Sequence, residues 1–301
     1  MKRITIALAV ALALGMAGVA SAAEGGGSAY KDGAEGLMTG ALPPPGQYLL
    51  NYTLYYQADD LIDGSGDKVP VDFKLRVLAD VVRFVNVTKV DVLGGNWAQH
   101  IFVPVVWQNV LVNPTPGGKL RDDQVNIGDI IVDPFIIGWH KPPFHWVVGV
   151  DTYIPVGQYD KMEAASIGRN YWTFQPVAAV TYRDNDGIEL SAKLMYDFNT
   201  ENHDTDYLSG QAFHTDFVAA KHFGEQQAWA VGVGGFWFQQ TTDDEQSGVK
   251  VNNSRSQQVG LGPQVSYQAG PVNISLAYDQ EFATKMRPEG GRAWLKIVLP
   301  L

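Results

Sequence analysis

Between Ile188 and Phe198 every second residue is apolar (Ile188, Leu190, Ala192, Leu194, Tyr196, Phe198), with Glu189, Ser191, Lys193 and Asp197 between them. Successive side chains of a strand point to opposite faces, so this segment is a strand with one oily and one wet face. Comparable segments recur from Tyr48 to the end of the chain. Beyond the first 23 residues no run approaches the roughly 20 apolar residues of a spanning helix. A chain of this kind enters a membrane only as strands. The first and last strands must then pair, because hydrocarbon offers nothing to an open row of backbone N–H and C=O groups. The expected fold is all-β, an antiparallel transmembrane β-barrel with the oily faces against acyl chains and the wet faces lining the lumen. A soluble β-sandwich fits less well, since the mostly polar second faces leave too little apolar material for a shared interior.

The N-terminus reads MKRITIALAVALALGMAGVASAA, two positive charges followed by an apolar run and small residues. That is the layout of a secretory signal peptide over residues 1–23, cleaved after Ala22 or Ala23. Loss of Lys2 and Arg3 leaves an acidic chain without a basic stripe, which excludes nucleic acid as a partner. The absence of cysteine excludes disulfides, thiolate metal sites and cysteine nucleophiles. Residues 24–46 are Gly-rich and aperiodic, an extension expected to dangle or to plug the lumen of a barrel domain at 47–301.

Along that domain, Gln47–Ala58 puts Tyr48, Leu50, Tyr52, Leu54 and Tyr56 on one face. A second strand over 71–92 has Phe73, Leu75, Val77, Ala79 and Val81 on its oily side, interrupted by Arg83. Further strands are expected at 96–112, 125–140, 144–155, 171–183, 188–198, 209–223, 226–240, about 258–268, 272–283 and 292–300. Residues 113–124 and 241–253 read as exposed loops, and a short helix is expected near 162–166. Asn185-Asp186-Gly187 is a hairpin signal. The count is twelve, which leaves both termini on one side, with short turns towards the periplasm and long loops outside. Tyr48, Trp107, Trp172, Tyr182, Tyr267 and Trp294 lie near strand ends, where amphipathic rings favour the headgroup level.

Charged residues on the wet faces are the lumen and constriction candidates: Asp72, Lys74, Arg76, Asp80, Glu189, Lys193, Asp197, Asp216 and Asp279. They are expected to form a paired network that narrows a pore or holds a plug. On the extension, Tyr30, Leu37, Met38 and Leu42 offer either a relay for apolar compounds or simple packing against the wall. No catalytic residue and no metal site is assigned. His214 and His222 share a face, yet eight residues of strand separate them by about 26 Å. His140 and His145 flank Pro142-Pro143, and Ser209, His214 and Asp216 lack a nucleophile elbow. Asp243, Asp244 and Glu245 lack calcium-loop spacing, and no Gly-rich phosphate loop occurs, so no cofactor is expected.

The words EGGGSAYKDGAEG, LPPPGQYLLNY, GVDTYIPVGQYD and LSAKLMYDFNTENHDTDYLSG are more specific than periodicity. Through them the chain resembles the outer-membrane family associated with the meta pathway of phenol degradation, in its SphA-like branch. The most specific part is Asn199, Thr200, Asn202, Thr205, Tyr207, Ser209 and Gly210. The resemblance covers essentially the whole mature chain. It implies a barrel in the outer membrane of a Gram-negative bacterium that passes or binds hydrophobic, often aromatic, small molecules. The partners expected with it are outer-membrane lipid and the barrel-assembly machinery. Val156 stands where relatives carry Thr, and the terminal Leu301 departs from an aromatic end. A sealed, surface-binding barrel and a barrel hydrolase are the alternative functions.

Overall fold

The computed structural model describes residues 24, 27–115 and 118–301, so the signal peptide expected at 1–23 lies outside the described residues. The strands are β1 (Gly46–Leu61), β2 (Asp72–Val92), β3 (Gly95–Thr115), β4 (Gly118–Ile127), β5 (Ile130–Lys141), β6 (Phe144–Ile154), β7 (Thr173–Arg183) and β8 (Ile188–Asn199). They continue as β9 (Tyr207–Leu208), β10 (Ala212–Phe223), β11 (Trp229–Gln240), β12 (Asp244–Gln246), β13 (Val249–Val251), β14 (Gln257–Ala269), β15 (Val272–Lys285) and β16 (Pro288–Pro300). Twelve close into a ring in the order β2-β1-β16-β15-β14-β11-β10-β8-β7-β6-β5-β3, with β3 pairing back onto β2. All neighbours are antiparallel, so no edge is left open to lipid. The short strands β9, β12 and β13 form a separate patch. Among the described residues no helix is long and apolar enough to cross a membrane.

Three expectations about segments change. Residues 113–124 are largely strand: β3 continues to Thr115 and folds back as β4, with Val112 opposite Leu120 and Val105 opposite Ile127. The hairpin was hidden because it rises beyond the ring, where water wets both faces and Lys119, Arg121, Asp122 and Asp123 need no oily partner face. The strand expected over 125–140 is accordingly divided at Gly128–Asp129. Residues 162–166 are turns rather than helix, stapled by Asp160, which accepts from Met162 N at 2.8 Å. The acidic loop also contains the β12–β13 hairpin.

The short turns at 93–94, 142–143, 184–187, 224–228 and 270–271 lie at one end with the start of β1 and the end of β16, and among the described residues only the two-residue turn at 286–287 joins ring strands tightly at the other. By the habit of bacterial barrels the end rich in short turns is the periplasmic one. At the opposite end the long connections gather. Stacked Trp139 and Trp146 sit beside a short turn, and stacked Trp172 and Phe174 at the long-loop end, as paired girdles require.

From β7 to β15 the wall follows the simple rule. Phe174, Leu190, Leu194, Val231, Leu261 and Leu276 are exposed outwards, while Thr181, Glu189, His214, Asp216, Gln258 and Asp279 are buried inside. In β1 and β2 the inner face is oily, and the outer face mixes apolar Tyr55, Leu78 and Val82 with polar residues. Leu50, Tyr52, Leu54, Ala79, Val85 and Val87 form a core inside the lumen with Ala98, Ile136 and Trp294. The four charges of β2 expected in the lumen, Asp72, Lys74, Arg76 and Asp80, instead lie on the outer face. There Asn51 Nδ2 donates to Asp80 Oδ1 at 2.7 Å, and Arg76 pairs with Asp59. Alternation decides which residues share a face but not which way that face points. This arc is oily inwards because the N-terminal segment packs there through Ala34 and Leu42. Its charges are tolerable outwards because Asp72 to Arg76 pair with the part of β3 that also carries β4, above the ring, with Asp80 at the base of that extension.

Candidate functional site

Residue 24 and residues 27–45 run through the lumen from the long-loop end to the short-turn end. At the top Glu24 N donates to Ser209 Oγ (3.2 Å), and its carboxylate accepts from Asn202 Nδ2 (2.6 Å) and Tyr159 OH (3.0 Å). Burial and the charge of Glu24 push the Tyr159 phenol up to about 12, which keeps it a donor. Lower down, Asp216 accepts from the Tyr30 hydroxyl, from Gly33 N (2.9 Å) and from Glu35 N (3.0 Å). Met38 N donates to Glu189 Oε1 (2.6 Å) and Gly40 N to Thr181 Oγ1 (2.9 Å). At the bottom Tyr48 OH donates to Pro44 O (2.8 Å). A segment with no ladder of its own thus takes its backbone partners from wall side chains, which explains the polar inner face of β7, β8 and β10.

Charge pairs extend from the upper half of the lumen down to the short-turn cavity. Both ring nitrogens of buried His214 face carboxylates, Asp32 Oδ1 at 2.6 Å and Asp197 Oδ2 at 2.9 Å, the arrangement of an imidazolium. Glu35 accepts from Lys296 (2.8 Å), Arg83 (3.1 Å) and Tyr52 (3.3 Å), and Arg292 joins Glu281 to the Asp32 carbonyl. Such buried pairs add little net stability but fix the register of the segment against the wall. Asp279 is buried against Gly33 and has no hydrogen-bond partner among the described residues. Gly33 has φ of +79°, and a Cβ there would come within 2.6 Å of Asp279 Oδ2, so only glycine passes.

In the short-turn half a cavity of about 740 Å³ remains. Leu42, Leu50, Val85, Ile136 and Val147 line it together with the polar groups of Arg83, His100, Asp151, Arg183 and Lys193. Arg83 Nη2 donates to His100 Nδ1 at 2.8 Å, so Nε2 carries the ring proton and donates to Asp151 at 2.8 Å. His100, Asp133 and Asp151 come close enough for metal ligation, but the donor set does not fit an ion. Asp133 is spent on Phe135 N (2.8 Å) and Val150 N (2.6 Å), and Arg83 and Lys193 already supply positive charge. Asp133 also seals the wall: between Val132 and Ile137 the β5–β6 pairing shifts register around Pro134, and this carboxylate takes up backbone donors in the gap.

Of the predicted lumen residues, Glu189, Lys193, Asp197, Asp216 and Asp279 lie inside the barrel. Leu37, Met38 and Leu42 border the cavity, whereas Tyr30 is an anchor to Asp216 under the Lys193 ammonium. The sequence reading missed Asp32, Glu35, His100, Asp151 and Arg292 as lumen groups. The one signal for the missed set was Arg83, the charge in an otherwise oily row. Asn199, Thr200, Asn202, Thr205, Tyr207, Ser209 and Gly210 form a clasp at the long-loop end rather than a lining. Asn199 donates to Gly210 O (3.0 Å), Thr200 Oγ1 accepts from Trp172 N (3.0 Å) and Thr205 Oγ1 donates to Asn202 O (3.4 Å). Tyr207 OH and Gly210 N both donate to Asp244, each at 2.6 Å, and Asn202 and Ser209 hold Glu24. Ser209, His214 and Asp216 have separate partners and form no relay. His222 bonds Glu189 (2.6 Å), and His140 meets His145 across the hairpin at 2.8 Å.

A closed twelve-strand ring threaded by its own N-terminal segment defines an outer-membrane-type β-barrel. Residues 58–297 match the model of the family described as "Putative MetA-pathway of phenol degradation", and the chain belongs to that family. Among solved structures it is similar to the COG4313 outer membrane channel from Pseudomonas putida F1, with TM-score 0.76 and 14% identity over 88% of this chain and 98% of that one. It is also similar to the translocator domain of the autotransporter NalP from Neisseria meningitidis, with TM-score 0.50 and 8% identity over 86% and 90% of the two chains. No curated protein matches.

Proposed function

We propose that the protein is a passive channel for small molecules in the outer membrane of a Gram-negative bacterium, inserted by the barrel-assembly machinery and covered by outer-membrane lipid. The observation that carries this reading is a lumen obstructed only by non-covalent contacts above a 740 Å³ cavity. The cavity wall mixes apolar and charged side chains, so a solute that is apolar over part of its surface meets a complementary lining. Transport then follows the concentration gradient, and the protein performs no catalysis. The likeness to a channel from Pseudomonas putida F1 agrees with this reading.

A second reading, a sealed barrel whose loops serve a surface partner, is favoured by the density of ion pairs around Asp32, Glu35 and His214. Planar-bilayer recordings of the mature chain decide between them. The channel reading expects a small conductance that rises when Asp216 is replaced by Ala. A wall that passes nothing, with or without Asp216, overturns it.

A further inference from the structure

Four cations border the lower cavity: Arg83, Arg183, Lys193 and Lys296. Three are matched by acids. Arg83 and Lys296 share Glu35, and Lys193 lies 3.9 Å from Asp151. Arg183 makes no ion pair among the described residues. Its Nη2 donates to the neutral amide of Gln227 (3.0 Å), and its Nη1 rests 3.9 Å from the Met38 sulfur.

The obvious acid for Arg183 is Glu189, its cross-strand neighbour in the β7–β8 ladder. That carboxylate is turned away: it accepts from Met38 N (2.6 Å) and Ser191 Oγ (2.7 Å), and it bonds His222 (2.6 Å). The other acids on the cavity are equally committed, Glu35 and Asp151 to cations and Asp133 to backbone N–H groups. A guanidinium carries five donors, and neutral partners take up few of them. The fold therefore holds a positive fork at the short-turn end of a half-oily cavity and spends every nearby carboxylate elsewhere.

We infer that this lower lumen binds small organic carboxylates with an apolar body, the carboxylate on Arg183 and the body against Met38, Val147 and Ala179. A planar guanidinium matches a carboxylate through two parallel hydrogen bonds, and the oily wall disfavours a fully hydrated anion such as inorganic phosphate. Val147 and Ala179 are cross-strand partners on the inner face, and Ala179 lies on β7 four residues from Arg183. A cavity of 740 Å³ is of the size that encloses one such molecule. This names a solute class for the channel reading and rests on it for the word transport, but not for binding.

The test is equilibrium binding to the full mature chain in non-ionic detergent, with benzoate, benzyl alcohol and acetate as probes, alongside bilayer recordings. Benzoate is expected to bind roughly tenfold more tightly than either the neutral ring or the bare carboxylate. Arg183→Gln removes that preference and Arg183→Lys keeps part of it. Should Arg183→Gln fail to fold, Gln227→Glu supplies an internal carboxylate at the same contact and is expected to weaken benzoate about tenfold by occupying the fork. Equal binding of benzoate and benzyl alcohol, or benzoate binding unchanged in Arg183→Gln or in Gln227→Glu, overturns the inference. A barrel that binds benzoate but passes no current defeats the channel reading alone. One that conducts without preferring benzoate defeats only the carboxylate site.

Discussion

Strands β1 and β2 and the arc from β7 to β15 share one period but differ in what lines the lumen: β1 and β2 turn apolar side chains inwards and keep a mixed outer face, whereas β7 to β15 turn polar ones in. In the larger arc Leu190 and Leu194 face outwards, and Glu189, Lys193 and Asp197 face in. In β1 and β2 it is Leu50, Leu54 and Val85 that face in, and Asn51, Thr53 and Asp80 that face out. The difference follows from what each arc touches inside. The larger arc supplies hydrogen-bond acceptors to a backbone without secondary structure, and the smaller one packs the apolar side of the same segment. Filling the lumen with chain thus makes the inner surface two-sided, and the outer surface of β1 and β2 becomes more polar in compensation.

Six substitutions, in four tests, sharpen the comparison. The largest effect belongs to Asp216→Ala, which strips three donors of their charged acceptor and costs roughly 4 kcal/mol of segment docking. Protease protection of residues 27–45 in reconstituted vesicles should fall while the barrel itself stays folded. Next, Leu194→Arg places a charge in lipid and should cost about 3 kcal/mol in urea unfolding from vesicles, whereas Asp80→Arg should cost under about 1 kcal/mol. Equal costs would break the distinction between the arcs. Leu54→Ala removes a residue packed in a protein core and should cost about 3 kcal/mol, against about 1 kcal/mol for Leu190→Ala, where lipid refills the space. The smallest effect is a gain: Asp80→Leu should stabilise the barrel by up to about 1 kcal/mol, because it replaces an outward carboxylate at the base of the β3–β4 extension.

The closed ring and its twelve strands were legible because period-two alternation survives in most ring strands, although β3 is apolar on both faces from Phe102 to Val106, and the Asn-Asp-Gly turn marks one hairpin outright. β4 was not legible, since a hairpin standing in water carries no oily face to betray it. Glu189, Asp197 and Asp216 could be placed in the lumen from their own strands, whose apolar residues belong to lipid. Asp72 to Asp80 could not, since their direction depends on a segment some thirty to fifty residues earlier in the chain. Arg83 was the clue: a lone cation in the oily row of β2 suits a lumen holding Glu35 better than it suits acyl chains. Arg183 stood on the wet face of its strand all along. Its lack of an acid emerged only once Glu189 was seen turned to Met38 and His222.

The chain has no cysteine, so single-cysteine spin labels report one site at a time. Labels at Leu54→Cys and Leu190→Cys, with relaxation by oxygen and by a water-soluble nickel chelate, test most directly that the apolar row of β1 faces the lumen and that of β8 faces lipid. The account predicts oxygen-dominated relaxation at position 190 and a sheltered, oxygen-poor label at 54. A label at 54 that meets lipid as freely as the one at 190 would contradict it.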